Sequence, residues 1–340
     1  MDGHRPAQAP AQQLPQGNST GPLVSVIVLN WNGKRFLDDC LTALRQQTLR
    51  DFEVIVVDSG STDGSAEYVR QTFPESRVIA LPENRGFCGG NNAGIRAAQG
   101  RYIALLNNDT RADPHWLAEL VESLDAYPQV GFCASKILLW DRPQTLDAAG
   151  DAFYPWGIAG KRGAGRPDGP AYALPAYVFG ACAGAAVYRR TMLDDIGLLD
   201  EDFFAYDDDV DLSFRAQLRG YRCLYVPMAM VWHHRRGTTG LASTEALYLS
   251  RRNAFYVLLK DMPAALLLAL LPLIAGYHLL GDLRHALSGQ GRAVWRARAD
   301  GWRNLGGLLA KRREIQSRRT VSLRYLASIL GDRRVGIGDS

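Results

Sequence analysis

The chain has 340 residues, 47% of them hydrophobic and 22% charged, which excludes a disordered chain and allows one large core or a domain with a long extension. Its net charge of +4 is uneven, because residues 282–334 hold 13 Lys and Arg against 4 Asp and Glu, leaving a mildly acidic body. Basic and aromatic residues do not interleave as in an RNA-binding surface, and five scattered cysteines without a CxxC pair exclude a disulfide framework or a cysteine zinc site and suit a cytoplasmic setting.

Residues 1–21, rich in Ala, Pro and Gln and without an apolar stretch, read as a disordered leader and not as a signal peptide. LVSVIVL (residues 23–29) and FEVIVVD (52–58) are short β-branched runs that predict strands buried on both faces. Between them, Phe36, Leu37, Cys40, Leu41 and Leu44 recur at helical spacing. The alternation continues with a helix after Thr62, a strand near 77–81, a helix over 91–99 and a strand over 102–106. A helix after Pro114 and a strand near 130–135 follow. This order predicts an α/β fold: a mostly parallel sheet flanked by helices, with a Rossmann-like nucleotide-binding half whose ligands lie at the carboxyl ends of the strands. Residues 150–170 read as a loop or hairpin, 180–190 as a strand and 207–218 as a helix, and beyond Thr244 the chain is helical. No repeat of solenoid period is present.

Three blocks carry candidate chemistry. In VVDSGSTDGS (56–65), Asp58 ends a strand before a tight turn, where it serves either as part of a helix cap or as an acceptor for the N3–H of a pyrimidine base. In the block 83–110, Gly86, Gly89, Gly90 and Gly94 allow close backbone approach at a helix start, a favourable place for phosphate. Asn107, Asn108 and Asp109 then close an apolar strand. Asp109 is a hard oxygen donor suited to Mg2+ or Mn2+, although a lone Asp at a strand end is more often a turn residue. In the block 200–234, Asp207, Asp208, Asp209 and Asp211 crowd among Phe203, Phe204, Tyr206, Val210 and Leu212. A helix start complementing its dipole accounts for one or two of these carboxylates; four together should push one pKa toward a general-base value. His233 and His234 end a strand-like run and could offer a neutral imidazole to a metal.

Together the segments VSVIVLNWNG, VVDSGSTDGS, ENRGFCGGNNAGI, YIALLNNDT, FFAYDDDVDLSFR, VPMAMVWHH and RRNAFYVLLK resemble, in order, the inverting family 2 glycosyltransferases of GT-A fold, rhamnosyltransferase-like branch. The resemblance implies a GT-A domain over residues 22–240 and a helical extension over 241–340. It implies metal-dependent transfer of a sugar, with Mg2+ or Mn2+, from a dTDP-, UDP- or GDP-sugar, dTDP-rhamnose among them. The acceptor hydroxyl would be on a lipid-linked or polysaccharide acceptor reaching the site past residues 150–170. By resemblance Asp58 contacts the base, Asn30, Asn84, Gly86, Asn92 and Asn108 line the nucleotide pocket, Asp109 and His233 hold the metal, and Asp209, or its neighbour Asp208, is the base. Arg252 and Asn253 match an Arg-Asn pair without an assigned role. Two departures, Asn107 for the first Asp of the metal motif and Asp208 for a Glu, keep an inactive sugar-nucleotide-binding scaffold as the alternative.

Residues 264–280 are almost wholly apolar, and as a helix would span about 25 Å, short of a roughly 30 Å bilayer core. The segment reads as an interfacial or re-entrant helix, a true span or a packed soluble helix. The first, backed by Arg292, Arg296, Arg298, Lys311, Arg312 and Arg313, which otherwise form a solvated face, would suit an anionic membrane surface and a peripheral protein at the cytoplasmic face of the plasma membrane.

Overall fold

The computed structural model describes residues 21–235 and 244–331; the expected leader, Gly21 apart, and the expected domain boundary at 240 lie outside them. The first half alternates strictly: β1 (Val24–Asn30), α1 (Lys34–Arg45), β2 (Phe52–Ser59), α2 (Ser65–Thr72), β3 (Arg77–Leu81), α3 (Gly86–Ala97) and β4 (Tyr102–Asn107). Next come β5 (Thr110–Ala112), α4 (Trp116–Ala126), β6 (Val130–Leu139) and β7 (Leu146–Ala149), then a hairpin of β8 (Asp151–Tyr154) and β9 (Ile158–Lys161). β10 (Ala176–Val178), β11 (Ala185–Arg189), α5 (Arg190–Ile196), α6 (Asp208–Leu218) and β12 (Arg222–His233) complete the α/β body. The remainder is helical: α7 (Thr244–Lys260), α8 (Ala264–His285), α9 (Gly291–Arg303), α10 (Leu305–Ser317) and α11 (Leu323–Ile329).

The main sheet runs β10-β12-β6-β11-β4-β1-β2-β3. From β3 to β4 every pairing is parallel, as the alternation predicts. Beyond β4 the sheet becomes mixed, because β11 runs antiparallel to both β4 and β6 while β12 lies parallel to β6. Register brings the chemistry together: Asn30 is opposite Asp58, and Leu29 opposite Asn107, at the carboxyl ends of β1, β2 and β4.

The β-branched strands bury both faces. One face packs α1 and α4 through Leu37, Leu41, Trp116 and Leu120, and the other packs α3 and α6 through Cys88, Ile95, Leu212 and Phe214. The C-terminal helices close on the second face and are tied to it by charge. Lys311 pairs with Asp200 and Asp202 at 2.6 and 2.7 Å, and Arg312 donates to the carbonyls of Leu259 and Met262. The apolar segment forms a longer helix than expected: α8 has 22 residues and so is about 33 Å long. Only Ile274 and His278 on it are buried, whereas Leu268, Leu279, Leu280 and Leu283 are exposed.

Candidate active site

Three groups of side chains meet at the carboxyl edge of the parallel strands. The first is a buried amide-carboxylate chain. Asn108 Nδ2 donates to Asn30 Oδ1 at 2.6 Å, Asn30 Nδ2 donates to Asp58 Oδ2 at 3.0 Å, and the Ser61 amide donates to Asp58 Oδ1 at 3.0 Å. Each residue fixes the next, so Asp58 is held rigid at the floor of the edge. An open hollow of about 590 Å³ bounded by Asn32, Lys34, Asp63 and Tyr68 adjoins it.

The second group is a relay of acid and imidazole. Asp109 follows β4, and His233 ends β12, brought near because β12 pairs with β5 just beyond Asp109. His233 Nε2 lies 3.2 Å from Asp109 Oδ1, and its Nδ1 lies 2.8 Å from Oδ2 of Asp147 on β7. Asp147 is fully buried and also meets Lys161 and Arg235 at 3.1 Å. Burial would push the Asp109 carboxyl up, but the His233 hydrogen bond and charge outweigh it and hold the group below its ordinary range. Burial likewise would lower His233, and the two carboxylates reverse this. Among the described residues no third His, Cys, Asp or Glu joins the pair in a closed metal cage. His234 turns elsewhere: its ring stacks on Trp140 at 4.0 Å and leans on Phe36.

The third group is the start of α6 and the loop before it. Phe204, Tyr206 and Asp207 all have left-handed backbone, with φ of 64, 69 and 58°. Such a run in non-glycine residues is strained and needs outside support. Arg252 and Asn253 of α7 supply it. Arg252 Nη2 donates to the carbonyls of Asp202 and Phe203 at 2.8 and 2.9 Å. Asn253 Nδ2, fully buried, donates to those of Phe203, Ala205 and Tyr206 at 2.7–3.1 Å. On the far side Phe204 presses on Gly86, whose φ is +68°; a Cβ there would come within 2.4 Å of the Phe204 carbonyl.

The loop delivers Asp208 and Asp209 with different surroundings. Asp209 is half-buried and accepts from the amides of Ala183 at 3.1 Å and Val210 at 2.9 Å. Burial raises its pKa, and those amides and Lys161 restrain the rise. Asp208 is buried with no hydrogen-bond partner for Oδ2 among the described residues, and burial with the Asp209 charge raises it much further. Of the pair, Asp208 holds its proton more tightly and Asp209 gives it up more readily. Asp207 is pushed up to about 7 by burial and then by Asp209.

Of the residues picked from sequence, Asn30, Asp58 and Asn108 meet in the first group and Asp109 and His233 in the second. Asn84 accepts from the Gly86 amide at 2.9 Å and shapes that turn. Asn92 stands apart from the expected pocket: its carboxamide both donates to and accepts from the Leu199 backbone and donates to Glu201 Oε1. Asp147 escaped the sequence reading, although a carboxylate inside the apolar run TLDAAG was its signal.

Residues 25–197 match the model of the glycosyl transferase family 2. An uncharacterized glycosyltransferase of Nostoc sp. is 33% identical over 129 residues, 37% of this chain and 40% of that protein. An uncharacterized glycosyltransferase of Haemophilus influenzae is 32% identical over 107 residues, 31% of this chain and 33% of that one, so the chain spans well under half the length of both. The N-acetylglucosaminyl-diphospho-decaprenol L-rhamnosyltransferase of Mycobacterium tuberculosis is 26% identical over 279 residues, 70% of this chain and 84% of that protein. Among solved structures, GalNAc-T7 with UDP, GalNAc and Mn2+ superposes with a TM-score of 0.56 at 16% identity, over 71% of this chain and 48% of that one. The Pyrobaculum calidifontis mannosyltransferase with GDP-Man and Mn2+ gives 0.52 at 19% identity, over 92% and 84%. The fold is GT-A.

Proposed function

The chain belongs to glycosyl transferase family 2, and on that premise we propose that it transfers a sugar, with inversion, from a nucleoside-diphosphate sugar to an acceptor hydroxyl in polysaccharide or glycolipid synthesis. The observation that carries this reading is the convergence of the Asn30-Asp58-Asn108 chain, the Asp109-His233 pair and the Asp209 carboxylate at one sheet edge. Asp58, held rigid, accepts the N3–H of a uracil or thymine ring; Asn30, itself fixed by Asn108, keeps its Oδ2 engaged.

Asp109 and His233 fit a divalent cation, Mg2+ or Mn2+. A hard carboxylate oxygen and an imidazole nitrogen converge, and Asp147 on Nδ1 orients the ring so that Nε2 faces Asp109, the usual support behind a ligating histidine. When bound, such a cation offsets charge on the departing diphosphate. Among the described residues Asp109 and His233 would hold the cation, which would then be open to the donor substrate. The Mn2+ of both solved neighbours supports the same choice.

Asp209 is the base. It removes the acceptor hydroxyl proton while that oxygen bonds to the anomeric carbon, and the bond from this carbon to the diphosphate oxygen breaks with its electron pair leaving on the diphosphate. Attack opposite the leaving group inverts the centre, so no covalent sugar-enzyme intermediate arises. The Mycobacterium relative's name supports rhamnose as the sugar and a lipid-linked acceptor; we propose dTDP-rhamnose as the donor. The exposed leucines of α8 support a peripheral place on a membrane, which we propose is the cytoplasmic face of the plasma membrane. A panel of nucleotide sugars incubated with Mg2+ or Mn2+ tests the reading: one donor should release its nucleoside diphosphate only with metal, and release from none of them, or release equal in EDTA, would overturn it.

A further inference from the structure

A second cavity, of about 250 Å³, lies between the β8–β9 hairpin, α7 and α8, away from the donor edge. Its floor is Asp207 and Val210, the turn of α6 that carries Asp209, with Phe153 beside them. Its outer wall is Arg251 of α7 with Tyr277 and His285 of α8. The cavity therefore joins the base to the apolar helix.

Arg251 is the unusual member. Its side chain is only 15% exposed, yet among the described residues its one polar contact is a long 3.5 Å approach to Asp282. Asp282 is already engaged by Arg298 at 2.8 Å, so two guanidinium groups share one carboxylate and the local charge is positive. A guanidinium has five donors, and those of Arg251 without a partner among the described residues face the cavity. Gly281 keeps the group there, since a Cβ would come within 2.7 Å of Arg251 Nη2. The other end of the wall is greasy. Tyr277 is 41% exposed, and its helical neighbours four before and three after, Leu273 and Leu280, are exposed as well.

We infer that this cavity takes the phosphorylated headgroup of a lipid-borne acceptor, its phosphate on Arg251, its chain along Leu273 and Leu280, and its hydroxyl-bearing end toward the α6 turn. This rests on the transfer reading above, and it assigns the acceptor a site distinct from the donor edge. A single under-used cation at the junction of an apolar helix and a polar cavity fits a ligand with both characters. Neither a free phosphate nor a neutral lipid uses both walls.

The test is calorimetric titration of the full-length protein with farnesyl diphosphate, farnesol and inorganic diphosphate, all with EDTA. Farnesyl diphosphate should bind at least about tenfold tighter than the other two. Arg251→Gln should weaken it by about tenfold, and Arg251→Lys by less, because a cation remains. Ser250→Glu, at an exposed position on the cavity wall, should weaken it similarly by repulsion without touching the core, and so covers the case in which Arg251→Gln fails to fold. Asp109→Ala should leave the binding unchanged. Equal affinity for farnesol, equal affinity for inorganic diphosphate, indifference to Ser250→Glu in a folded protein, or loss with Asp109→Ala would each overturn the proposal. Failure of the transfer reading would appear separately, as no metal-dependent cleavage of any nucleotide sugar.

Discussion

Neighbouring aspartates at the start of α6 differ through what touches them, and their substitutions should separate accordingly. Asp209→Asn removes the proposed base but leaves the proposed donor edge intact, so turnover should fall by about a hundredfold or more while donor affinity holds. Asp208→Asn, replacing a carboxyl that burial and the Asp209 charge push toward the neutral form, should cost far less. Initial rates with donor binding measured in parallel decide this; the reverse order would transfer the role to Asp208. Asp109→Ala should abolish metal-dependent donor binding, read as loss of the Mn2+-induced gain in nucleotide affinity. Asp207 offers a test by pH. In the folded protein its pKa is about 7, against about 3.9 in an unfolded chain, so the fold binds this proton more tightly. Stability is therefore fullest below pH 4 for this group and is lost as pH rises to 7. Asp207→Asn keeps the side chain neutral and tolerates the left-handed backbone. It should melt about 2–4 °C above the parent at pH 8, with the gap closing toward pH 4. An equal gap at both pH values would show that Asp207 does not carry the shift.

The α6 approach loop shows what an element can require from outside itself. Three left-handed residues within four, Phe204, Tyr206 and Asp207, persist because Arg252 and Asn253 hold the carbonyls of residues 202, 203, 205 and 206. Asn253→Ala removes three buried hydrogen bonds, which should cost about 1–3 kcal/mol in denaturant unfolding. With the loop relaxed, kcat should drop by about tenfold or more while donor affinity is nearly unchanged. A fall in stability with kcat intact would reduce Asn253 to a structural role. The strands β1, β2 and β4 were legible in the sequence because buried parallel strands read as continuous apolar runs. Asp58 and Asp109 stood out as candidates because such strands present ligands at their ends. The mixed half was not, since the direction of β11 depends on pairing with strands far along the chain. Asp147 was hidden for a related reason: its partner His233 is 86 residues away. Asn92 sits in the right motif, but a motif does not say which way a carboxamide points. The role of Arg252 and Asn253 needed the loop's backbone, which no pattern of residue types records.

At the scale of the whole molecule the basic tail and the apolar helix have separate duties. Several of the cations expected to face lipid turn inward: Lys311 pairs with Asp200 and Asp202, Arg298 with Asp282, and Arg312 with backbone carbonyls. Removing the chain after Lys260 would therefore strip supports from the loop that leads to Asp209, and loss of activity in such a truncation would say little about membranes. The exposed face of α8 is the better place to act. Of its most apolar stretch only 11% is buried, and Leu279, Leu280 and Leu283 are 69, 70 and 56% exposed. Leucines so placed add little to the fold. Each would gain up to about 1.5–3 kcal/mol on full transfer into an apolar phase. Replacing all three with Ser should leave the melting temperature within about 2 °C of the parent. Flotation with vesicles, by contrast, should fall by about tenfold or more. Because apolar burial is not screened, raised salt should detach only the part contributed by outward cations such as Arg292 and Arg313. Wild-type protein that floats with anionic vesicles at low salt, stays partly bound at high salt and loses both on the triple change would fit this division. If the wild type floats with neither anionic nor neutral vesicles, the leucine face of α8 must be covered by protein instead, and the membrane placement fails.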